Sequence, residues 1–440
     1  MMRHSPATPI VLAAVCAVSV LTSTPLAQTD DAHWPQWRGP LANGFAPDAT
    51  PPLEWSETTH VRWKVAIPGR SSSTPVVWGN RLYLSTAIPV GVTGDDQHEP
   101  RGGLRSPGVH RFVVMAIDRE TGRTVWQRVA REQVPHEGTH NDNGTWASGS
   151  PITDGERVYA YFESFGLYAY DTDGSLVWEV DLGDKRMRNE FGEGSTPALH
   201  GNTLVVVWDH RGESFIVALD TRDGSELWRQ PRDEVDTWAT PLILDVKGRP
   251  QVIVSAQARI RGYDLETGDV IWEGDGLTRN PIPSPVHEDG LVILTSGFGG
   301  NDLRAVRVAQ ARGVIDGTPA VAWSHNRDTP YVPSPVLANG ILYFLKSNSG
   351  ILSAFDAETG QSHYQKRLRG VPNVFASPVA TRDRLYVTGR EGTTLVLKAG
   401  PDYEVLATNS LDDEFDASPA LAGGDLFLRG HTSLYAIAEP

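Results

Sequence analysis

The stretch Thr196-Pro197-Ala198-Leu199-His200-Gly201-Asn202-Thr203-Leu204-Val205-Val206-Val207, followed by Phe215-Ile216-Val217-Ala218-Leu219-Asp220 and Gly224-Ser225-Glu226-Leu227-Trp228, contains one complete structural unit. Short β-rich runs alternate with turn residues, the pattern of four strands joined by hairpins. Proline has no amide to donate, so Pro197 suits the first position of a strand. The same opening recurs at Thr74-Pro75, Ser150-Pro151, Thr240-Pro241, Ser284-Pro285, Ser334-Pro335, Ser377-Pro378 and Ser418-Pro419. From one proline to the next the steps are 76, 46, 44, 44, 50, 43 and 41 residues. All but the first match the period of propeller blades. Asp154-Gly155, Gly201-Asn202, Asp289-Gly290, Asn339-Gly340 and Gly423-Gly424 fall between the first and second strands, where a tight hairpin needs positive φ.

A second phrase closes each unit, as in Ala116-Ile117-Asp118-Arg119-Glu120-Thr121-Gly122 before Trp126 and Gly262-Tyr263-Asp264-Leu265-Glu266-Thr267-Gly268 before Trp272. The Asp side chain can bond backbone amides two residues on, and Gly accepts the left-handed turn. Trp63, Trp126, Trp178, Trp228, Trp272, Trp323, Tyr364 and Val405 then occupy equivalent outer-strand positions, read as wedges between neighbouring blades. Trp63 precedes the first proline marker, while the copy beginning at Ser418 stops after three strands. The expectation is an all-β fold: a single eight-bladed β-propeller of four-stranded antiparallel blades, the last closed by an N-terminal strand over Val61 to Ile67. Blade five departs from the pattern, with Arg304-Ala305-Val306-Arg307-Val308 in place of the Asp turn and a longer connection to Trp323.

Residues 1–27 read as an export signal, with Arg3 and His4 ahead of an apolar run from Ile10 to Leu21 and Ala27 at the cleavage point. Residues 28–60 form an N-terminal extension and 61–440 the propeller. Cys16 is the single cysteine and lies within the signal, leaving the mature chain without a thiol or a disulfide. Val15 stands where a lipid-attachment signal wants a smaller residue, so lipid anchoring is not expected. The predicted product is a monomeric ring, periplasmic or secreted, with no membrane span. A net charge of −15 argues against nucleic acid as a partner.

The repeated Ala-x-Asp-x-x-Thr-Gly-x-x-x-Trp phrase resembles that of the pyrroloquinoline-quinone (PQQ)-like propeller repeat family. The opening Trp34-Pro35-Gln36-Trp37-Arg38-Gly39-Pro40 is similar to that of its exported bacterial branch of PQQ-binding-like and BamB-like proteins. Two functions are implied by this resemblance. PQQ-dependent dehydrogenases hold the quinone over the central axis with a calcium ion, often beside a disulfide of adjacent cysteines that this chain cannot make. BamB-type proteins use the ring as a docking surface, without a cofactor. Fold alone does not choose between them.

Loops leading into the innermost strands converge on the channel mouth, making Arg70, His140, Asn141, Trp146, Arg188, Glu193, Asp236, Trp238, Arg279, Asn280, Tyr331, Phe375 and Asp416 the candidate ligand-binding residues. Aromatic faces beside Arg and carboxylates suit a protein partner, a saccharide or a planar ligand; the same groups could equally serve only to seal the ring. His136-Glu137-Gly138-Thr139-His140 matches the zinc-peptidase expression, but Pro135, Gly138 and Gly144 give it loop composition, so no metal site is expected. Asp209-His210 with Ser214 reads as a hydrogen-bonded turn rather than a catalytic triad, and Asp171-Thr172-Asp173-Gly174 as the repeat's own turn rather than a calcium loop. The insertion over 88–110 reads as a surface excursion. The expected function is that of an exported, non-catalytic binding or scaffold protein whose partner is an envelope protein or a small polar or saccharide ligand, with no cofactor and no catalytic residue. The alternatives are a periplasmic quinoprotein oxidoreductase using PQQ with calcium, and a polysaccharide-recognition protein.

Overall fold

Eight antiparallel sheets surround one axis in the computed structural model, which describes residues 1–2, 32–91, 108–140 and 142–440. Most of the expected export segment with Cys16, the tip of the insertion and Asn141 lie outside these residues. Each innermost strand starts at the residue after its proline, at Val76, Ile152, Ala198, Leu242, Val286, Val336, Val379 and Ala420. The first blade is long because its central hairpin, Arg81–Pro89 with His110–Asp118, extends outward. Ile88 pairs with Arg111 and Pro89 with His110, so the excursion begins beyond these residues. Among the described residues no helix is long and apolar enough to cross a membrane.

Ring closure follows the predicted route. Val61–Ala66 lies antiparallel to Ser433–Ala438 and forms the outer strand of the eighth blade, with Trp63 opposite Ala436. Neighbouring blades are locked by the outer-strand tryptophans. The indole nitrogens of Trp63, Trp126, Trp178, Trp228 and Trp323 donate to the carbonyls of Arg119, Thr172, Thr221, Leu265 and Ala357, at 2.8 to 2.9 Å. Each acceptor is the residue after the Asp of the next blade's turn. The turn's Gly then allows the ring to lie flat on it: a Cβ at Gly122, Gly174, Gly224, Gly268 or Gly360 would stand 2.6 to 2.9 Å from the indole above. Within its own blade each ring passes over a small residue, Ala116, Ala169, Ala218 or Ala305 on the third strand.

Where the next blade lacks the Asp turn, the lock changes. Trp272 pairs with Gly262 and bonds the side chain of Gln251 at 3.1 Å, while its strand is paired in parallel by a fifth, Gly313–Val314, whose flanking Ala311 and Ile315 join the Trp272 cluster. Blade five's long connection supplies that strand. Tyr364 packs edge-on against Tyr403, with ring centres 5.6 Å apart. The expected wedge at Val405 is a correction: the register places Ala407 at that position, opposite Val396, and leaves Val405 42 % exposed. Ala407 is too small to fill the gap, and Trp55 from the extension packs into the same cluster, held by its amide to Asn409 Oδ1 at 2.8 Å.

The residue before each proline joins the blades at the axis. Backbone amides of Thr74, Ser150, Thr196, Thr240, Ser284, Ser334 and Ser377 donate to the hydroxyls of Ser150, Thr196, Thr240, Ser284, Ser334, Ser377 and Ser418 in turn, at 2.8 to 3.1 Å. The circuit is open at the last seam, where the buried Thr74 Oγ1 has no partner.

Two mutational tests follow from these contacts. Ser334→Ala strands a buried amide and is expected to cost about 1–3 kcal/mol, whereas Thr74→Val loses no hydrogen bond from its hydroxyl and should be near neutral by urea unfolding. Gly174→Ala should cost about 1–3 kcal/mol more than Gly248→Ala. Both glycines have φ near +80°, but only Gly174 lies against an indole, so equal losses would remove the proposed lock.

Candidate functional site

The extension converts the channel into a cup. Trp34 exchanges two backbone hydrogen bonds with Val77, Pro35 O accepts from Thr153 N, and Gly44 and Ala46 bracket Ala380, so the segment runs along the inner edges of blades one, two and seven. Between these anchors the buried Arg38 donates to the carbonyls of Pro335, Pro378 and Asn43. Its neighbour Trp37 borders both the large cavity at the loop face and a smaller void on the opposite side, so its ring partitions the channel. The cavity above it has a volume of about 150 Å³.

Seven predicted residues meet around this cup: His140, Glu193, Trp238, Asn280, Tyr331, Phe375 and Asp416. Arg188 stands behind them and bonds Asn280 Oδ1 at 3.3 Å, while Arg279 is exposed at the rim with its guanidinium 5.8 Å from the Phe298 ring centre. The remaining candidates are not part of the wall. Buried Asp236 accepts from Arg188 N and Arg211 Nε, anchoring the loops. Trp146 turns to an adjoining void, with its indole N–H on Glu137 O and its ring against His110. Arg70 lies outside the cup, its backbone paired with Ala87. The floor Trp37 and the wall Phe191 escaped the sequence reading, as did the hydroxyl residues Ser150, Thr196, Thr240 and Ser418. Ser or Thr before every proline was the available signal for the last group; nothing in the local pattern marked Trp37 as axial.

The carboxylates of the cup are already engaged. Asp416 receives Arg390 Nε and a second Arg390 nitrogen at 2.8 and 2.9 Å, and His431 Nε2 at 3.0 Å. Burial would raise its carboxyl, yet the bonds from His431 and Arg390 hold it below the usual carboxylate range. Arg390 also covers Phe375 at 3.7 Å and reaches Asp142 at 2.7 Å. Glu193 accepts from Ser164 N at 3.0 Å and Ser164 Oγ at 2.6 Å. Behind it lies the ion pair Lys185–Glu163, 2.6 Å apart and also missed from sequence, with Lys185 fully buried over Trp208.

The motif stretches are structural in their contacts. Residues 136–140 form no helix: His136 Nε2 meets Lys185 O, Glu137 accepts Met187 N, and His140 Nδ1 accepts Asp142 N. Asp209 forms a fully buried two-bond pair with Arg232, and Ser214 Oγ serves the His210 backbone rather than its ring. Asp171 caps the amides of Asp173 and Ser175 in its turn.

An eight-bladed propeller with a blind axial cup is the class that these features define. A family model described as outer membrane protein assembly factor BamB matches residues 53–212, 110–365 and 212–439, and the chain belongs to that family. It is 21 % identical over 355 residues to the outer membrane protein assembly factor BamB of Yersinia pestis, covering 78 % of this chain and 74 % of that one. Among crystal structures, BamB from Moraxella catarrhalis superposes with a TM-score of 0.59 at 14 % identity, over 85 % of this chain and 98 % of that one. The quinohemoprotein alcohol dehydrogenase of Comamonas testosteroni gives 0.63 at 12 % identity, over 92 % and 80 %. At such identities the structural likeness speaks for the fold alone.

Glu193 gives the site a pH signature. Burial, then the charge of Glu163, pushes its carboxyl up from 4.5 to about 8, against the pull of Lys185 and Ser164. Between those values the folded chain holds a proton that the unfolded chain has released, so this contribution is complete below pH 4.5 and is lost as pH rises through about 8. Urea midpoints at pH 5.5 and 8.5 should fall more steeply for wild type than for Glu193→Gln, which keeps the neutral shape without the titration.

Proposed function

We propose that this chain is an exported, non-catalytic docking protein of the cell envelope, engaging a protein partner through its loop face and axial cup. The observation that carries this reading is a concave site of about 150 Å³ lined by residues from the loops that lead into the innermost strands, with Trp37 of the extension between it and a second void. The family model and the BamB relative, by name an assembly factor, favour a protein partner in the envelope. Export rests on the expected signal at residues 1–27.

Structural neighbours among quinone-dependent dehydrogenases call for a fit test of PQQ with calcium at the axis. Calcium takes six to eight oxygen ligands. In the cup the Asp416 oxygens serve Arg390 and His431, the Glu193 oxygens serve Ser164, and Asn280 Oδ1 serves Arg188. Among the described residues no group of three or more His, Cys, Asp or Glu side chains is placed to hold a metal ion. The donor set does not fit that pair.

Immobilised wild type, Trp238→Ala and Arg279→Ala provide the test against envelope extract. A protein retained by wild type and lost from both variants is expected; identical retained sets on all three would end the docking reading. Saturable one-to-one binding of PQQ with calcium, accompanied by dye-linked turnover, would replace it with the oxidoreductase.

A further inference from the structure

We infer that the cup receives one apolar aromatic side chain of the partner, carried next to an acidic residue. This inference rests on the docking reading and adds the chemistry of the group that is docked. Three observations on size, hydrogen bonding and charge lead to it.

The first is size and lining. A volume of about 150 Å³ matches that of an engineered apolar cavity that accepts benzene, so the site is scaled to one ring. Trp37, Phe191, Trp238, Tyr331 and Phe375 contribute five aromatic rings to its lining. Aromatic pairs gain from edge-to-face and offset contacts beyond the area they bury.

The second is hydrogen-bond capacity. The Trp238 indole N–H is given to Gly192 O at 2.8 Å, and the carboxylates and Asn280 Oδ1 have the internal partners named above. A pyranose brings several hydroxyls, each of which loses water on entry and needs a partner. The strongest acceptors of the wall, its two carboxylates, are already occupied. A cationic guest faces the same difficulty, because Arg390 already holds Asp416. An aromatic ring requires none of these bonds.

The third is charge at the rim. The Arg188 and Arg279 guanidiniums flank the Asn280 wall, and among the described residues neither forms an ion pair with a carboxylate. In a protein of net charge −15, two guanidiniums beside the cup without a carboxylate partner present a local reversal of its own sign. An acidic residue next to the inserted ring complements it.

The test uses the purified protein and blocked tetrapeptides Gly-Trp-Glu-Gly, Gly-Ala-Glu-Gly and Gly-Trp-Lys-Gly, with methyl glucoside as the sugar probe, by titration calorimetry. The Trp-Glu peptide is expected to bind at least tenfold more tightly than Ala-Glu and at least threefold more tightly than Trp-Lys. Ile282→Trp and, from another loop, Val332→Trp fill the cup and should each abolish the advantage of tryptophan, with thermal melts confirming that the ring is intact. Arg279→Glu should erase the preference for Glu over Lys while keeping that for Trp over Ala. No difference between the Trp and Ala peptides, including no binding by either, overturns the inference, as does tighter binding of methyl glucoside. If that happens while Ile282→Trp still loses the envelope protein retained by wild type, only the aromatic assignment falls. If Ile282→Trp retains that protein in full, docking through the cup falls with it.

Discussion

Seven amide-to-hydroxyl bonds around the axis are the constraint on which the rest of this ring depends. Each sheet ends inward in an edge strand, and an edge normally offers its backbone to any passing chain. Here the extension pairs with three of these edges, at Val77, Thr153 and Ala380, and the blades meet one another through side chains. A proline removes one donor from each edge, and the Ser or Thr before it hands its own amide to the neighbouring hydroxyl. The solution needs a small hydroxyl residue and a proline side by side in all eight units, which is what the repeat supplies. Because these residues also form the cup wall, the bonds that set blade spacing set the width of the site.

A second circle of contacts stabilises the periphery. Tryptophan on one blade, glycine and aspartate on the next, and alanine beneath form a unit that spans the blade boundary, so no blade carries its complete lock. This explains why the phrase is legible in sequence as a single motif although its parts act in different sheets. It also explains the exceptions. Blade five has no Asp turn to receive Trp272, and the longer connection returns as a fifth strand beside it, bringing Ala311 and Ile315 into the Trp272 cluster. At Ala407 the wedge comes from outside the propeller, as Trp55.

Fold and site were unequally readable for a physical reason. Strand period, proline placement and turn chemistry are local, so eight blades and their closure by Val61–Ala66 could be counted along the chain. The loops of the cup were also locatable, because propeller geometry sends every such loop to one face. Side-chain direction within a loop is not local. Trp146 and Asp236 sit at the right place in the chain, yet one turns towards His110 and the other towards Arg188 N and Arg211 Nε of the preceding blade. Trp37 reaches the axis only because edge pairing at Trp34 and Ala380 carries the segment across it, and that path depends on partners far away in sequence.

The shared eighth blade has a consequence for how such a chain matures. Val61–Ala66 is among the first structured segments to be synthesised, and its partner Ser433–Ala438 among the last. The growing polypeptide must keep an orphan β-segment out of wrong pairings until its last strand has been made. Loop-closure entropy over such a span makes this joining step slow relative to the local hairpins. A truncated product, released early from the ribosome, lacks the Ser433–Ala438 strand, has no route to a sealed circle and would present two raw ends to any protease it meets.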